Sequence, residues 1–369
     1  MMRRWKTAAL AILCLGMLAA AAWQLPDLIA RKPEVPGLQP RERTLLRIWV
    51  TGSPGGGQPW LVQQLRAFEK QHPGVMTHLR IVRPEDVFAP EAVLPDVLLF
   101  LPGDLADTSL LAPIAADSGL RPELLAAGRL GDVQYGLPLC WGAWVLAIDS
   151  ALEPGHAATP GPTTLLGKPS ATAAPQEAPG YPLAAAVSAD VALQSPGGAA
   201  LLTLSRLLSP GERPPLPQDF GQLSASTVYD AFRARKCATA MLTTGQATAL
   251  TSLAASGSGF PFRIMTPDGI VTDQVWFAGL TEEAPEAAGQ LLAFLTVPDA
   301  QQALAAQGLH TVRDDLTLYA AGFSREVELT GKKQLCAINA FLSAAAVDAL
   351  AWQAFQGTLA YADAVAGLL

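Results

Sequence analysis

The sequence predicts an α/β fold of mostly parallel sheets flanked by helices, and three observations carry that prediction. Near the amino end, apolar runs rich in strand formers alternate with a helical stretch. One run, Val97 to Leu101, is apolar without alternation, as expected of a strand covered by helices on both faces. At 369 residues, 50% apolar and 15% charged, the chain is long enough for two or more domains around a sizeable core.

Composition narrows the function classes. Thirty-two Gly and 30 Pro without a period read as loop punctuation in a globular protein. A net charge of −7, with 25 Lys and Arg dispersed along the chain, leaves no basic stripe for phosphates, so nucleic acid is not an expected partner.

The first 30 residues have the layout of a signal peptide: Arg3, Arg4 and Lys6, then an uncharged run from Thr7 to Ala22. An uncleaved membrane anchor is the alternative, because Leu25, Leu28 and Ile29 prolong the apolar stretch, although Gln24, Pro26 and Asp27 interrupt it. Either reading exports everything after Arg31, to the periplasm or cell surface. Cys14 lacks the small residue that a lipobox needs before its cysteine. Residues 31–43, with Pro33, Pro36 and Pro40, read as an extended tether.

The folded body begins near Thr44. Leu45, Leu46, Ile48, Trp49 and Val50 predict a strand that stops at the loop Thr51 to Gly57. Leu61, Leu65, Phe68 and His72 recur at helical spacing, and Pro73-Gly74 ends that helix. Thr77 to Val82 predicts a second strand and Val97 to Leu101 a third. Tyr135 to Ile148 combines a turn with an apolar strand around Trp141, Gly142 and Trp144. Residues 151–182 are rich in Pro, Gly, Ala and Thr and predict an irregular insertion. Helical patterns return around Leu201 to Leu208, Val228 to Lys236, Glu286 to Thr296, Asp299 to Gln307, and through the Ala-rich tail from Ala344. Asp348, Gln353, Gln356 and Asp363 interrupt that tail too often for a membrane span.

Catalytic and cofactor motifs are missing. Gly161 to Lys168 has one residue too many between its glycines for a phosphate loop, and Pro169 stands where Ser or Thr would hold a metal. Ser256-Gly257-Ser258-Gly259 lacks the leading glycine of a nucleophile elbow. His72, His78, His156 and His310 have no acidic companions at ligand spacing, so the sequence announces no metal site and no cofactor. Cys140, Cys237 and Cys336 leave room for one disulfide, with burial as small hydrophobes the favoured role.

Leu46-Arg47-Ile48-Trp49-Val50, the helix ending Phe68-Glu69-Lys70-Gln71-His72-Pro73-Gly74, Pro95-Asp96-Val97 and the stretch Tyr135-Gly136-Leu137-Pro138 through Asp149 together resemble the extracellular solute-binding proteins of ABC transporters, the group that includes many sugar binders. Cys237 to Met241 with Gly245, Glu286 to Leu295, and Gln301-Gln302 through Arg313 continue the likeness in order. The insertion after Asp149 and the short carboxyl end depart from the pattern, and Asp149-Ser150 replaces an Asn-Lys pair.

The resemblance implies a two-lobed periplasmic-binding-protein fold of type 2, with lobe one at 44–146 plus about 276–319 and lobe two at about 147–275 plus 320–369. It implies a binding component of an ABC importer, not an enzyme, that closes on a small sugar-like solute, hands it to the permease subunits, and touches the membrane only through an uncleaved leader. A sensory or interaction module of the same fold is the first alternative, an exported hydrolase the second.

Trp141 is the first candidate for the ligand pocket, since an indole stacks on a sugar face; a core tryptophan is the alternative. Trp276 is the second, with burial favoured. Ser53 and Gln58 on the Gly-rich loop offer polar contacts, and Asp104 offers an acceptor for a hydroxyl or cation or a cap for the next turn.

Overall fold

Strand β1 (Thr44–Val50) is buried completely over its last three residues, and its chain turns through a glycine-rich loop into helix α1 (Gly57–Gln71). That helix buries Trp60, Leu61, Gln64, Leu65 and Phe68 at the predicted spacing. The edge strand β2 (Val75–Ile81) follows, then β3 (Val97–Phe100), whose four residues are all buried. The computed structural model describes residues 43–89, 94–105, 107–115, 119–151, 191–192, 198–207, 225–319 and 322–369. The leader, nearly all of the tether, and the insertion apart from Ala151 lie outside the described residues. No helix among the described residues is long and apolar enough to cross a membrane.

The chain continues through β4 (Leu111–Ala112), α2 (Pro122–Ala127), β5 (Arg129–Leu130), β6 (Val133–Gln134), β7 (Leu137–Trp141) and β8 (Trp144–Asp149). Next come β9 (Val191–Ala192), α3 (Gly198–Leu207), α4 (Ala225–Arg233), β10 (Thr239–Thr243), α5 (Thr244–Ala255), β11 (Phe262–Met265), β12 (Ile270–Thr272) and β13 (Val275–Thr281). The remainder is α6 (Glu286–Thr296), α7 (Pro298–Gln302), α8 (Phe323–Lys333), β14 (Leu335–Ala337), α9 (Ala344–Gln356) and α10 (Tyr361–Ala366).

Two main sheets result. The first runs β2-β1-β3-β13-β4, with β7 also paired to β13; the second runs β11-β8-β10-β9. In the first, β1 is parallel to β2 and β3, whereas β13 is antiparallel to β3, β4 and β7. In the second, β8 is antiparallel to β10 and β11, while β9 is parallel to β10. Each sheet is therefore codirectional except for one strand. That strand is the one reached from the other half: β8 follows β7 of the first sheet, and β13 follows β11 of the second by way of β12, which pairs with β14.

Each half has its own core. Leu46, Ile48, Phe68, Leu98, Phe100, Phe277 and Leu291 belong to the first cluster, and Leu146, Ile148, Leu202, Met241, Ala351 and Phe355 to the second. The far face of the second sheet packs Val228, Phe232, Leu242 and Leu250 into a third cluster. Burial of these side chains, at about 25 cal/mol per Å² of apolar surface, is the main favourable term holding each half together. The thiols act as hydrophobes: Cys140 is fully buried and shifted upward by burial alone, and burial pushes Cys336 up to about 11.

Candidate functional site: the cleft beside the crossing strands

Two of the chain's passages between the halves are short crossings. Gly142 and Ala143 link β7 to β8, and Asp273 and Gln274 link β12 to β13. The first crossing lies a few residues before position 146, because β8 already belongs to the second sheet at Trp144. The crossings are tied to each other: Gly142 N–H donates to the Gln274 carbonyl (2.8 Å), Thr272 Oγ1 donates to the Gly142 carbonyl (2.7 Å), and the Trp144 indole N–H donates to Asp273 Oδ1 (2.7 Å). Short, directly bonded crossings of this kind are places where a few backbone torsions can absorb a rotation of one half against the other.

A cavity of about 210 Å³ lies beside them. Asp104 faces it from the loop after β3, Asp273 and Gln274 from a crossing, and Gly198, Val347 and Asp348 from the amino ends of α3 and α9. Its walls thus come from both halves and from the segment between them. Four larger hollows, of about 810, 570, 420 and 270 Å³, lie elsewhere, the two biggest between β11 and α8 and beside α6, and no crossing residue lines any of them. Ligands of open α/β sheets sit beyond the carboxyl ends of the strands, which favours the smaller cavity on physical grounds.

Its polar groups are fixed in place. Asp104 Oδ2 accepts from Thr51 Oγ1 (2.7 Å) and from Leu101 N–H (3.0 Å). Asp273 Oδ1 also accepts from Gln274 Nε2 (2.8 Å), and Asp348 Oδ1 accepts from Gly198 N–H (3.1 Å). All three carboxyls titrate above the ordinary carboxylate value. Burial is the largest cause for each, and the Asp273 charge adds to it at Asp348. Among the described residues, no Lys, Arg or His lines the cavity.

The halves also meet directly. The loop after β1 packs on the amino end of α5, where a β-carbon on Gly245 would overlap the Gly55 carbonyl oxygen. A β-carbon on Gly55 would stand 2.9 Å from Thr243 Oγ1. Thr243 is already engaged, accepting from Gln246 N–H (3.2 Å), while its own N–H donates to Gln246 Oε1 (3.0 Å) in a capping box.

Of the five residues singled out by sequence, Asp104 lines the cavity. Ser53 and Gln58 are half-buried, on the loop after β1 and in the first turn of α1, and do not line it. Trp141 has no exposed surface, donates its indole N–H to the Thr311 carbonyl (2.9 Å), and stacks on His310 with ring centres 4.4 Å apart. Arg121 lies over its ring at 5.4 Å, and Gly331 of α8 packs against its edge. Trp276 is equally enclosed, 6.4 Å from Trp60, and its indole N–H finds no partner among the described residues. Trp276 sits inside the core on β13, which pairs on both sides, whereas Trp141 sits on β7, which pairs with no described strand but β13 and is covered by His310, Arg121 and α8.

Asp273 and Asp348 escaped sequence reasoning. Asp273 follows Thr272 in an apolar stretch with no motif around it, and Asp348 stood out only as a polar interruption of the tail. Their pairing across 75 residues is a tertiary fact with no local signal.

No sequence-family profile matches the chain, and no curated protein matches it. Solved structures do. The chain is similar to the GacH receptor of Streptomyces glaucescens, solved unliganded and with acarbose, at 13% identity and a TM-score of 0.60, over 88% of this chain and 96% of that one. It is similar to maltose-bound MalE3 of T. maritima at 15% identity and a TM-score of 0.56, over 88% and 98%. A chitin oligosaccharide binding protein matches at 13% identity and a TM-score of 0.57, over 89% and 97%. At these identities the shared property is the fold, that of two-lobed binding proteins.

Proposed function

We propose that the chain is the extracytoplasmic substrate-binding component of an ABC importer, which captures a sugar or related small solute between its halves and delivers it to permease subunits. The observation that carries this reading is the cavity beside the crossings, walled from both halves and furnished with three oriented carboxylates. Carboxylates held by neighbouring donors keep lone pairs for ligand hydroxyls, and contacts from two halves exist together only when the halves are near. A solute that touches both therefore shifts the hinge equilibrium by its differential affinity for the closed form.

The saccharide ligands of the fold's solved relatives support a carbohydrate as the solute class. Their character as binding proteins supports a role without catalysis, and the signal-like first 30 residues support a location outside the cytoplasm.

The test is thermal unfolding of the full chain against mono- and oligosaccharides, polyols, amino acids and peptides. A ligand that binds the folded state alone raises the midpoint with concentration. A saccharide that does so and is recovered uncleaved is the expected result. A response confined to amino acids or peptides, or turnover of the sugar, would remove the reading.

A further inference from the structure

The size of the cavity and the direct contact between the halves bear on which solute fits. Pockets for drug-sized ligands run from about 300 to 1,000 Å³, whereas this one holds about 210 Å³. A cavity of about 150 Å³ is enough for benzene, so the space suits one six-membered ring with its substituents. Beside the cavity the halves are already in direct contact. At the amino end of α5, the Gly55 carbonyl already occupies the place of a Gly245 side chain.

We infer, resting on the binding-protein reading above, that the cleft selects a single-ring polyol without negative charge and excludes oligosaccharide chains. The steric part follows from volume and from the glycine contact. The charge part follows from the lining: Asp104, Asp273 and Asp348 present acceptors, with no cationic side chain among the described lining residues to compensate an anion. A hydroxyl donates to such oxygens, whereas a ligand carboxylate would face like charge in a partly desolvated space.

The full chain is titrated with glucose, galactose, myo-inositol, glucuronate and maltotriose, with the unfolding midpoint and calorimetric affinity as readouts. The expected result is that at least one neutral ring raises the midpoint, that glucuronate binds at least about tenfold more weakly than glucose, and that maltotriose leaves the midpoint unmoved. Asp348→Asn, which keeps an acceptor for Gly198 N–H, is expected to narrow the gap between glucuronate and glucose. Gly245→Ala, which forces the β1 loop off α5, is expected to admit maltotriose. If maltotriose binds the wild-type chain as well as glucose or better, or glucuronate matches glucose, the inference falls and the binding-protein reading stands. If no saccharide of either length moves the midpoint, both fall.

Discussion

Trp141 and Trp276 sit on neighbouring strands with equal burial, and they differ in the fate of one hydrogen atom. The Trp141 indole N–H reaches the Thr311 carbonyl, while that of Trp276 has no partner among the described residues. Leaving a buried donor unsatisfied costs about 1–3 kcal/mol, whereas a satisfied one contributes about 1. Trp141→Phe is therefore expected to cost at least about 1 kcal/mol more than Trp276→Phe in urea unfolding; equal costs would show that the Trp276 donor is satisfied after all. The cleft carboxyls give a second expectation at this scale. Asp104, Asp273 and Asp348 all titrate high, burial first among the causes. Between the ordinary carboxylate value of about 4 and their raised values, the folded protein holds more protons than the unfolded chain. Their contribution to stability is thus present at low pH and lost as pH rises through that window. Asp268 and Asp315, lowered chiefly by hydrogen bonds from Arg206 and Arg313, act in the opposite sense. The clean measurement is the pH dependence of unfolding for wild type against Asp273→Asn. The variant is expected to lose less stability as pH rises from mildly acidic values to neutrality, and identical profiles would contradict the burial of that carboxyl.

At the scale of elements, helix α8 shows packing overriding propensity. Gly331 lies inside it, and replacement by Ala would add about 1 kcal/mol of helix preference in isolation. Its β-carbon, however, would stand 2.6 Å from the Cη2 atom of Trp141. Overpacking of that kind costs about 1–3 kcal/mol, so Gly331→Ala is expected to destabilise, and a gain in the unfolding midpoint would mean that α8 is free to shift. Helix α5 makes the complementary point. Thr243 and Gln246 cap it reciprocally, and Thr243→Ala is expected to cost about 1 kcal/mol, measured by chemical denaturation. The same residue stands beside Gly55, so loss of the cap loosens the contact between halves as well as the helix end.

At the scale of the molecule, the Gly55–Gly245 contact decides how closely the halves approach. Gly245→Ala is expected to enlarge the radius of gyration in small-angle scattering relative to wild type, and an unchanged radius would show that the loop yields and the hinge does not. The α/β class was legible in the sequence, because hydrophobic period is a local property. Val97 to Leu101 read as a covered strand, of which Val97–Phe100 forms one, and Glu286 to Thr296 read as a helix and forms it over that span. The order of weak family-like segments pointed to the same fold that the solved structures share. Tyr135 to Ile148 read as one strand and is two, because the backbone at Gly142 bonds to Gln274, a residue far along the chain. Helices α5 and α8 were missed: α5, rich in Thr and Ala, shows little amphipathic contrast, and Gly331 interrupts α8 near its end. The cleft was hardest to read. Aromatic residues beside a turn suggested a sugar platform, yet Trp141 and Trp276 fill the first core, and the carboxylates at the cavity come from loops and helix ends distant in sequence. By itself the sequence determined the α/β class and most of the segments that form strands and helices, since those follow from patterning over a few residues, while the division into two halves came from the family resemblance. Only the tertiary structure decided which polar groups face the space between the halves, because that depends on three segments converging in space, and no local pattern encodes convergence.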